Sequence, residues 1–359
     1  MNANNKIELL KAEAFDASLD GKKIALYTLE SGNGITMQVT NFGGRVVTLW
    51  VPDKAGNYED IVVGYENIDR YLNNTGERFL GCVVGRYANR IANGKFTIDN
   101  VEYTLPVNNA TNSLHGGLKG LDSVVWDVDK VSGNEIHFSY TSPDGEEGYP
   151  GTVKYKMVYT LTPDNEFKIA YEAETDKATH VNLSHHSYFN LKGEGNGDIL
   201  DYMLTINADK YTPYNEVNIP TGEIASVKDT PFDFLTSYRI GERIDNDNEQ
   251  LKFGAGYDHN WVINKEMKDG VEFAASVYEP SSGRVMEVWT DQPGIQFYAS
   301  NWFDGSFNGK YGKPINRRAA IALETQKYPD TPNKPEFPST RLNPGEVYKQ
   351  TCIYKFLTK

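Results

Sequence analysis

The amino-acid sequence predicts an all-β protein, a large antiparallel β-sandwich with a few short helices, and three observations carry that expectation. Alternation with a period of two dominates the chain, as at 153–161, where Val153, Tyr155, Met157, Tyr159 and Leu161 share one face and Lys154 and Lys156 the other. The 32 glycines and 23 tyrosines favour turns and strands. Helical periodicity is confined to short pieces, which excludes parallel βαβ units, since each needs a crossover helix.

Taken along the chain, strands are expected at 35–40, 45–51, 95–105 and 135–141. A hairpin follows over 153–161 and 167–175, with Phe167, Ile169, Tyr171 and Ala173 inward and TPDNE as its turn. Further strands are expected at 202–207, 272–278, 284–290, 295–300, 318–323 and 347–357. Short helical pieces fall at 65–72 and near 246–252. The Pro-rich stretch 328–345 reads as an extended surface loop that returns the last strand to its sheet. With no internal repeat, the economical organisation is a single domain over 1–359.

Charge and composition limit the partners. Subtracting 49 acidic from 36 basic side chains leaves −13, which argues against nucleic acid, because phosphate neutralisation needs clustered Lys and Arg. No stretch approaches the roughly 18 apolar residues that cross a bilayer, and the opening MNANNKIELL has no leader pattern. The expectation is a protein with no membrane partner, cytoplasmic, or periplasmic if a leader has been removed. Cys82 and Cys352 lie in apolar runs without metal-ligand spacing and read as buried free thiols.

The polar residues that could carry chemistry are scattered. HEXXH, GXSXG and phosphate-loop patterns are all absent, which points away from a metal site, a nucleophilic triad and a nucleotide site. His137 and His180 sit in or beside strands and read as structural. His115 lies in NSLHGG, where paired glycines expose the ring at a loop. In NLSHHSYFNL, neighbouring side chains of an extended segment face opposite ways, so only one of His185 and His186 can enter a given pocket. Asn89, Arg90, Asp258 and Gln296 each have a plain alternative: a surface ion pair for Arg90, a turn anchor for Asp258, solvent for Gln296. Glu324 is harder to dismiss. It follows five apolar or small residues in RRAAIALETQ, where a carboxylate is either paired or used as a base.

At these residues the chain resembles the aldose 1-epimerase (galactose mutarotase) family. The similar stretches include NFGGRVV, VVGRYANRIANGKF, NSLHGG, NLSHHSYFNL, GYDHNWV, PGIQFY and ALETQKYPDTPN, in order from about residue 8 to the C-terminus. The resemblance implies a galactose mutarotase-like supersandwich and a reaction without cofactor or metal. That reaction interconverts the α and β anomers of free aldohexoses such as glucose and galactose. It implies that Glu324 is the general base, His186 the general acid and His115 a second imidazole at the ring. Asn89, Arg90, Tyr188, Asp258 and Gln296 would bind hydroxyls. Relatives often carry Asn at the position of His185; His186 is chosen because it precedes SYFNL. Trp302 and Phe297 are further candidates to stack on the sugar. The implied partner is a small aldose, and the chain a monomer or weak homodimer.

Three rival readings remain open at this level. A hexose 6-phosphate epimerase would need extra cationic side chains, a non-catalytic sugar-binding sandwich could dispense with Glu324 and His186, and a glycoside hydrolase would use Asp258 and Glu324 as its carboxylate pair.

Overall fold

The computed structural model describes residues 7–359, and every strand ladder in it is antiparallel. A nine-stranded sheet runs in the order Asp127–Val131, Glu135–Ser142, Val153–Thr162, Glu166–Thr175, Tyr348–Thr358, Arg284–Thr290, Glu272–Tyr278, Met203–Ile206 and Tyr238–Arg239. The C-terminal strand thus enters the middle of this sheet. A four-stranded sheet comes from the N-terminal segments Leu26–Glu30, Thr36–Thr40, Arg45–Pro52 and Tyr58–Asp60. A five-stranded sheet joins Ala225–Ser226, Lys210–Thr212, Asp258–Val262, Gly294–Tyr298 and Ala322–Gln326.

One continuous hydrophobic core, with residues from all three sheets, lies between them. The expected hairpin is present, and Val153, Tyr155, Met157, Tyr159 and Leu161 are buried while Lys154 and Lys156 are exposed. The short helices Ile68–Leu72 and Glu249–Phe253 each begin at an asparagine, Asn67 or Asn248, whose side chain accepts from first-turn amides. The helical turn Ile240–Arg243 was not foreseen.

Four expectations need correction. The stretch 95–105 is two strands, Lys95–Ile98 and Val101–Thr104, because Asp99 and Asn100 both take positive φ, 50° and 66°, and close a tight hairpin. The strand placed at 318–323 is Ala322–Gln326; Arg318, at φ 63°, turns the chain first, so Glu324 falls in mid-strand. Asp258, weighed as a turn anchor, opens the strand Asp258–Val262. The Pro-rich stretch is more than a surface loop. Tyr328, Asp330 and Thr331 are buried, Asp330 donates its amide to Arg90 O and accepts from Ala92 N–H, each at 2.8–2.9 Å, and Arg341–Leu342 pairs with Thr179–His180. Prolines cannot donate within the stretch, so its buried polar groups are satisfied by neighbouring segments.

Candidate active site

The reacting side chains come from three unrelated parts of the chain. The strand Ser184–His186 pairs with Cys82–Val84, so that alternation sends His185 and His186 to opposite sides. His185 enters the core, where its Nε2 lies 2.7 Å from Ser187 Oγ and its ring packs on Tyr159 and Phe167. His186 faces the other way, with Nε2 3.4 Å from Glu324 Oε1. Glu324 is held at the centre of Ala322–Gln326, at the edge of the five-stranded sheet.

His115 reaches the same point from a loop. Both His115 and Asn89 have positive φ, 51° and 62°, and the two residues hold each other: His115 N–H donates to Asn89 O at 3.0 Å, and Asn89 N–H donates to the ring Nδ1 of His115 at 3.1 Å. The His115 and His186 rings meet edge to face at 5.1 Å between centroids. Phe79 stands beside both, 4.7 Å from His115 and 6.0 Å from His186.

The electrostatics follow from burial. Glu324 is pushed well above the usual carboxylate range by desolvation and the nearby Asp258 charge, which Arg90 opposes. Burial depresses His186 to about 4 and holds His115 well below the ordinary imidazole range, with the neighbouring His186 adding to the latter. His186 Nδ1 and Glu324 Oε2 are buried with no hydrogen-bond partner among the described residues, as expected of groups that face a ligand.

His115, His186 and Glu324 also offer three potential ligand atoms within 4.8 Å of one another, so a metal site has to be weighed on its chemistry. A backbone N–H can only donate, so His115 Nδ1 is an acceptor and the proton of the neutral ring sits on Nε2. Metal-bound imidazoles have the opposite arrangement, a free lone pair towards the ion and an N–H towards the second partner. The donor set therefore suits hydrogen bonding to an oxygen better than holding a cation.

The remaining predicted residues surround this cluster, with two exceptions. Asn89, Arg90, Asp258 and Gln296 line one small enclosed space. Gln296 Nε2 donates to Asp258 Oδ1 at 2.7 Å, and Arg90 Nε is steadied by Asn109 Oδ1 at 2.9 Å. Among the described residues no carboxylate forms an ion pair with Arg90, so the surface ion pair weighed for it is not seen. Tyr188 is buried with its ring 4.8 Å from His186 and 5.0 Å from Phe303. Phe297, a stacking candidate, points into the core against Tyr257 and Trp261, since it alternates with Gln296. Trp302 is 61% exposed and does not line the enclosed space. His137 pairs with Glu135 on a half-exposed face of the nine-stranded sheet and His180 packs on Phe96, so neither belongs to the cluster.

Sequence reasoning missed Phe79, Thr212, Tyr214 and Asn260, the last three of which line the enclosed space. A usable signal existed for Asn260 alone: two residues beyond Asp258 in a strand, it must share its face.

The family model described as aldose 1-epimerase matches residues 25–355. A galactose mutarotase from Bos taurus is 42% identical over 352 residues, 98% of this chain and 99% of the relative. An aldose 1-epimerase from Escherichia coli strain K12 is 34% identical, covering 95% and 97%. Among solved structures, an aldose epimerase homologue from C. elegans superposes with a TM-score of 0.86 at 30% identity, covering 93% of this chain and 99% of that one. With a matching model over most of its length and relatives matched nearly end to end, this chain belongs to the aldose 1-epimerase family.

Proposed function

We propose that this protein is an isomerase that interconverts the α and β anomers of free aldohexoses, glucose and galactose among them, with Glu324 and His186 as the proton-exchanging pair. The observation that carries the reading is the 3.4 Å approach of a buried carboxylate to a buried imidazole, each with a second polar atom unpartnered.

Mutarotation moves two protons around one carbon. The base removes the proton of the C1 hydroxyl, the freed electron pair forms the C1 carbonyl, the C1–O5 bond breaks, and O5 takes a proton from the acid. The open aldehyde turns about C1–C2, and the same steps in reverse close the ring on its other face. The shared proton rests on Glu324, whose carboxyl is raised while His186 is lowered; once it has passed across the 3.4 Å gap to His186, Glu324 takes the C1 hydroxyl proton and His186 serves O5, the roles exchanging on closure. One proton shared by the pair is enough, because each turnover returns it. His115, carrying its hydrogen on Nε2, donates to whichever sugar oxygen gains charge. Arg90 adds positive charge there, and Asp258, fixed by Gln296, accepts from a ring hydroxyl.

Glu324→Gln keeps the shape and removes the exchangeable proton. The expected result, followed by polarimetry on α-glucose and α-galactose, is a fall in kcat of about 100- to 10,000-fold; undiminished acceleration would overturn the assignment. The rate is expected to fall as pH drops towards about 4, where His186 takes a second proton and the pair loses its base. It falls again on the alkaline side, where Glu324 gives up the last proton and the pair loses its acid. We further propose that the active chain is a monomer or weak homodimer and cytoplasmic, periplasmic if a leader is removed; gel filtration with light scattering and cell fractionation test these.

A further inference from the structure

Four polar residues stand in register across four neighbouring strands. Glu324 pairs with Gln296, Gln296 with Asn260, and Asn260 with Thr212. All four are buried. Paired residues share a face of the sheet, so the row leads away from Glu324 in steps of about 4.8 Å. Thr212, Asn260 and Gln296 line the same enclosed space as Asn89, Arg90 and Asp258.

Such a row is costly unless its groups find partners. Within the protein they do so only in part. Asn260 Nδ2 donates to Thr212 Oγ1 at 3.4 Å, which fixes the amide and leaves Oδ1 as its outward acceptor. Among the described residues Asn260 Oδ1 and Gln296 Oε1 have no hydrogen-bond partner, like Glu324 Oε2. Residue 294 completes the arrangement, because a Cβ there would come within 2.6 Å of Asn260 Oδ1; glycine leaves the amide its room. Unpartnered buried acceptors in a line match a ligand that presents hydroxyl donors in a line.

We propose that Asn260, oriented by Thr212 and given room by Gly294, is a specificity-determining residue that accepts a hydrogen bond from a hydroxyl on the C3–C4 edge of the aldopyranose. The inference rests on the reading that places C1 at Glu324. Two strand spacings, about 10 Å, separate Glu324 from Asn260. A pyranose with a hydrogen bond of about 2.8 Å at either end spans that length. The residue does not touch the reacting atoms; it decides which sugars are held with C1 in place.

The test compares the full chain with Asn260→Ala and Thr212→Val on glucose and on 2-deoxy-, 3-deoxy- and 4-deoxyglucose, by polarimetry. Asn260→Ala is expected to lose about tenfold in kcat/KM on glucose and 2-deoxyglucose, mostly through KM. With either the 3-deoxy or the 4-deoxy sugar the loss should vanish, because the hydroxyl that the residue reads is gone. Thr212→Val, which frees the amide to turn, should give the same pattern at smaller size, and it carries the test if Asn260→Ala does not fold. Equal losses on every sugar mean a structural role and overturn the proposal. No loss at all also overturns it, since the acceptor is then met by water alone. A parent chain that accelerates none of these sugars overturns the anomerase reading itself.

Discussion

Because side chains alternate along an extended segment, His185 and His186 occupy two environments one residue apart. His186 belongs to the acid–base pair, whereas His185 sits among Tyr159, Phe167 and Tyr354, and burial lowers it to about 3. The consequence for stability has a definite sign. In the unfolded chain the ring takes a proton below about pH 6.5, while in the folded chain it does so only near 3. Acidification through that window therefore favours unfolding. His185→Asn removes this liability whatever it does to packing. Between pH 7 and pH 5 the variant is expected to lose about 2 kcal/mol less stability than the parent, measured by urea unfolding at both values. A difference that does not change with pH would contradict the buried, neutral ring. At this scale the identity of most site residues could be read from the chain, since Glu324 after an apolar run and His115 before two glycines are conspicuous. Phe79 and Tyr214 could not, because aromatic residues are common in the core as well.

The loop that presents His115 depends on a glycine whose role is steric. At Gly116 φ is +93°, and a Cβ would come within 1.9 Å of Gly85 O. Gly145 also has positive φ, +85°, but nothing lies within 4 Å of where its Cβ would stand. The two positions separate backbone strain from collision. Gly145→Ala is expected to cost about 1 kcal/mol, and Gly116→Ala about 3 kcal/mol or more, with activity lost because His115 is displaced. Thermal unfolding and polarimetry on the pair check this; equal effects would mean that the collision is relieved at little cost. Several strands were legible because one face is buried and the other wet, as at 153–161, and Thr36–Thr40, Arg45–Pro52 and Gly294–Tyr298 were found although both their faces are buried. Asp258–Val262 and Ala322–Gln326 were not. Four of the first five residues and all of the second are buried, so neither shows the alternation by which a half-exposed strand announces itself.

Across the whole molecule, distant segments are tied by a buried ionic knot. Lys310 is fully buried, with Nζ 2.7 Å from Glu194 Oε2, 3.2 Å from Asp60 Oδ2 and 2.6 Å from Val62 O. Burial pulls its ammonium down, and the two carboxylates outweigh that pull and raise it. Asp60 ends a strand of the four-stranded sheet, while Glu194 and Lys310 lie in loops far apart in the chain. Lys310→Met would strand two carboxylates without a cation, and a loss of about 3–5 kcal/mol is expected by chemical denaturation. A neutral outcome would mean that protonation of Glu194, whose carboxyl burial already raises, relieves the charge.

The chain by itself determined that this protein is built from antiparallel strands, where several of them run, and which few polar residues lie where polarity is costly, because alternation and burial cost act locally. Family resemblance gave those residues their roles. Tertiary structure alone decided that Glu324 and His186 meet at 3.4 Å, that a backbone amide fixes the tautomer of His115, and that Asn260 continues the row begun at Glu324. These depend on which segments become neighbours and in which register, and contacts between residues tens of positions apart, more than a hundred for His186 and Glu324, are set by the packing of the whole core.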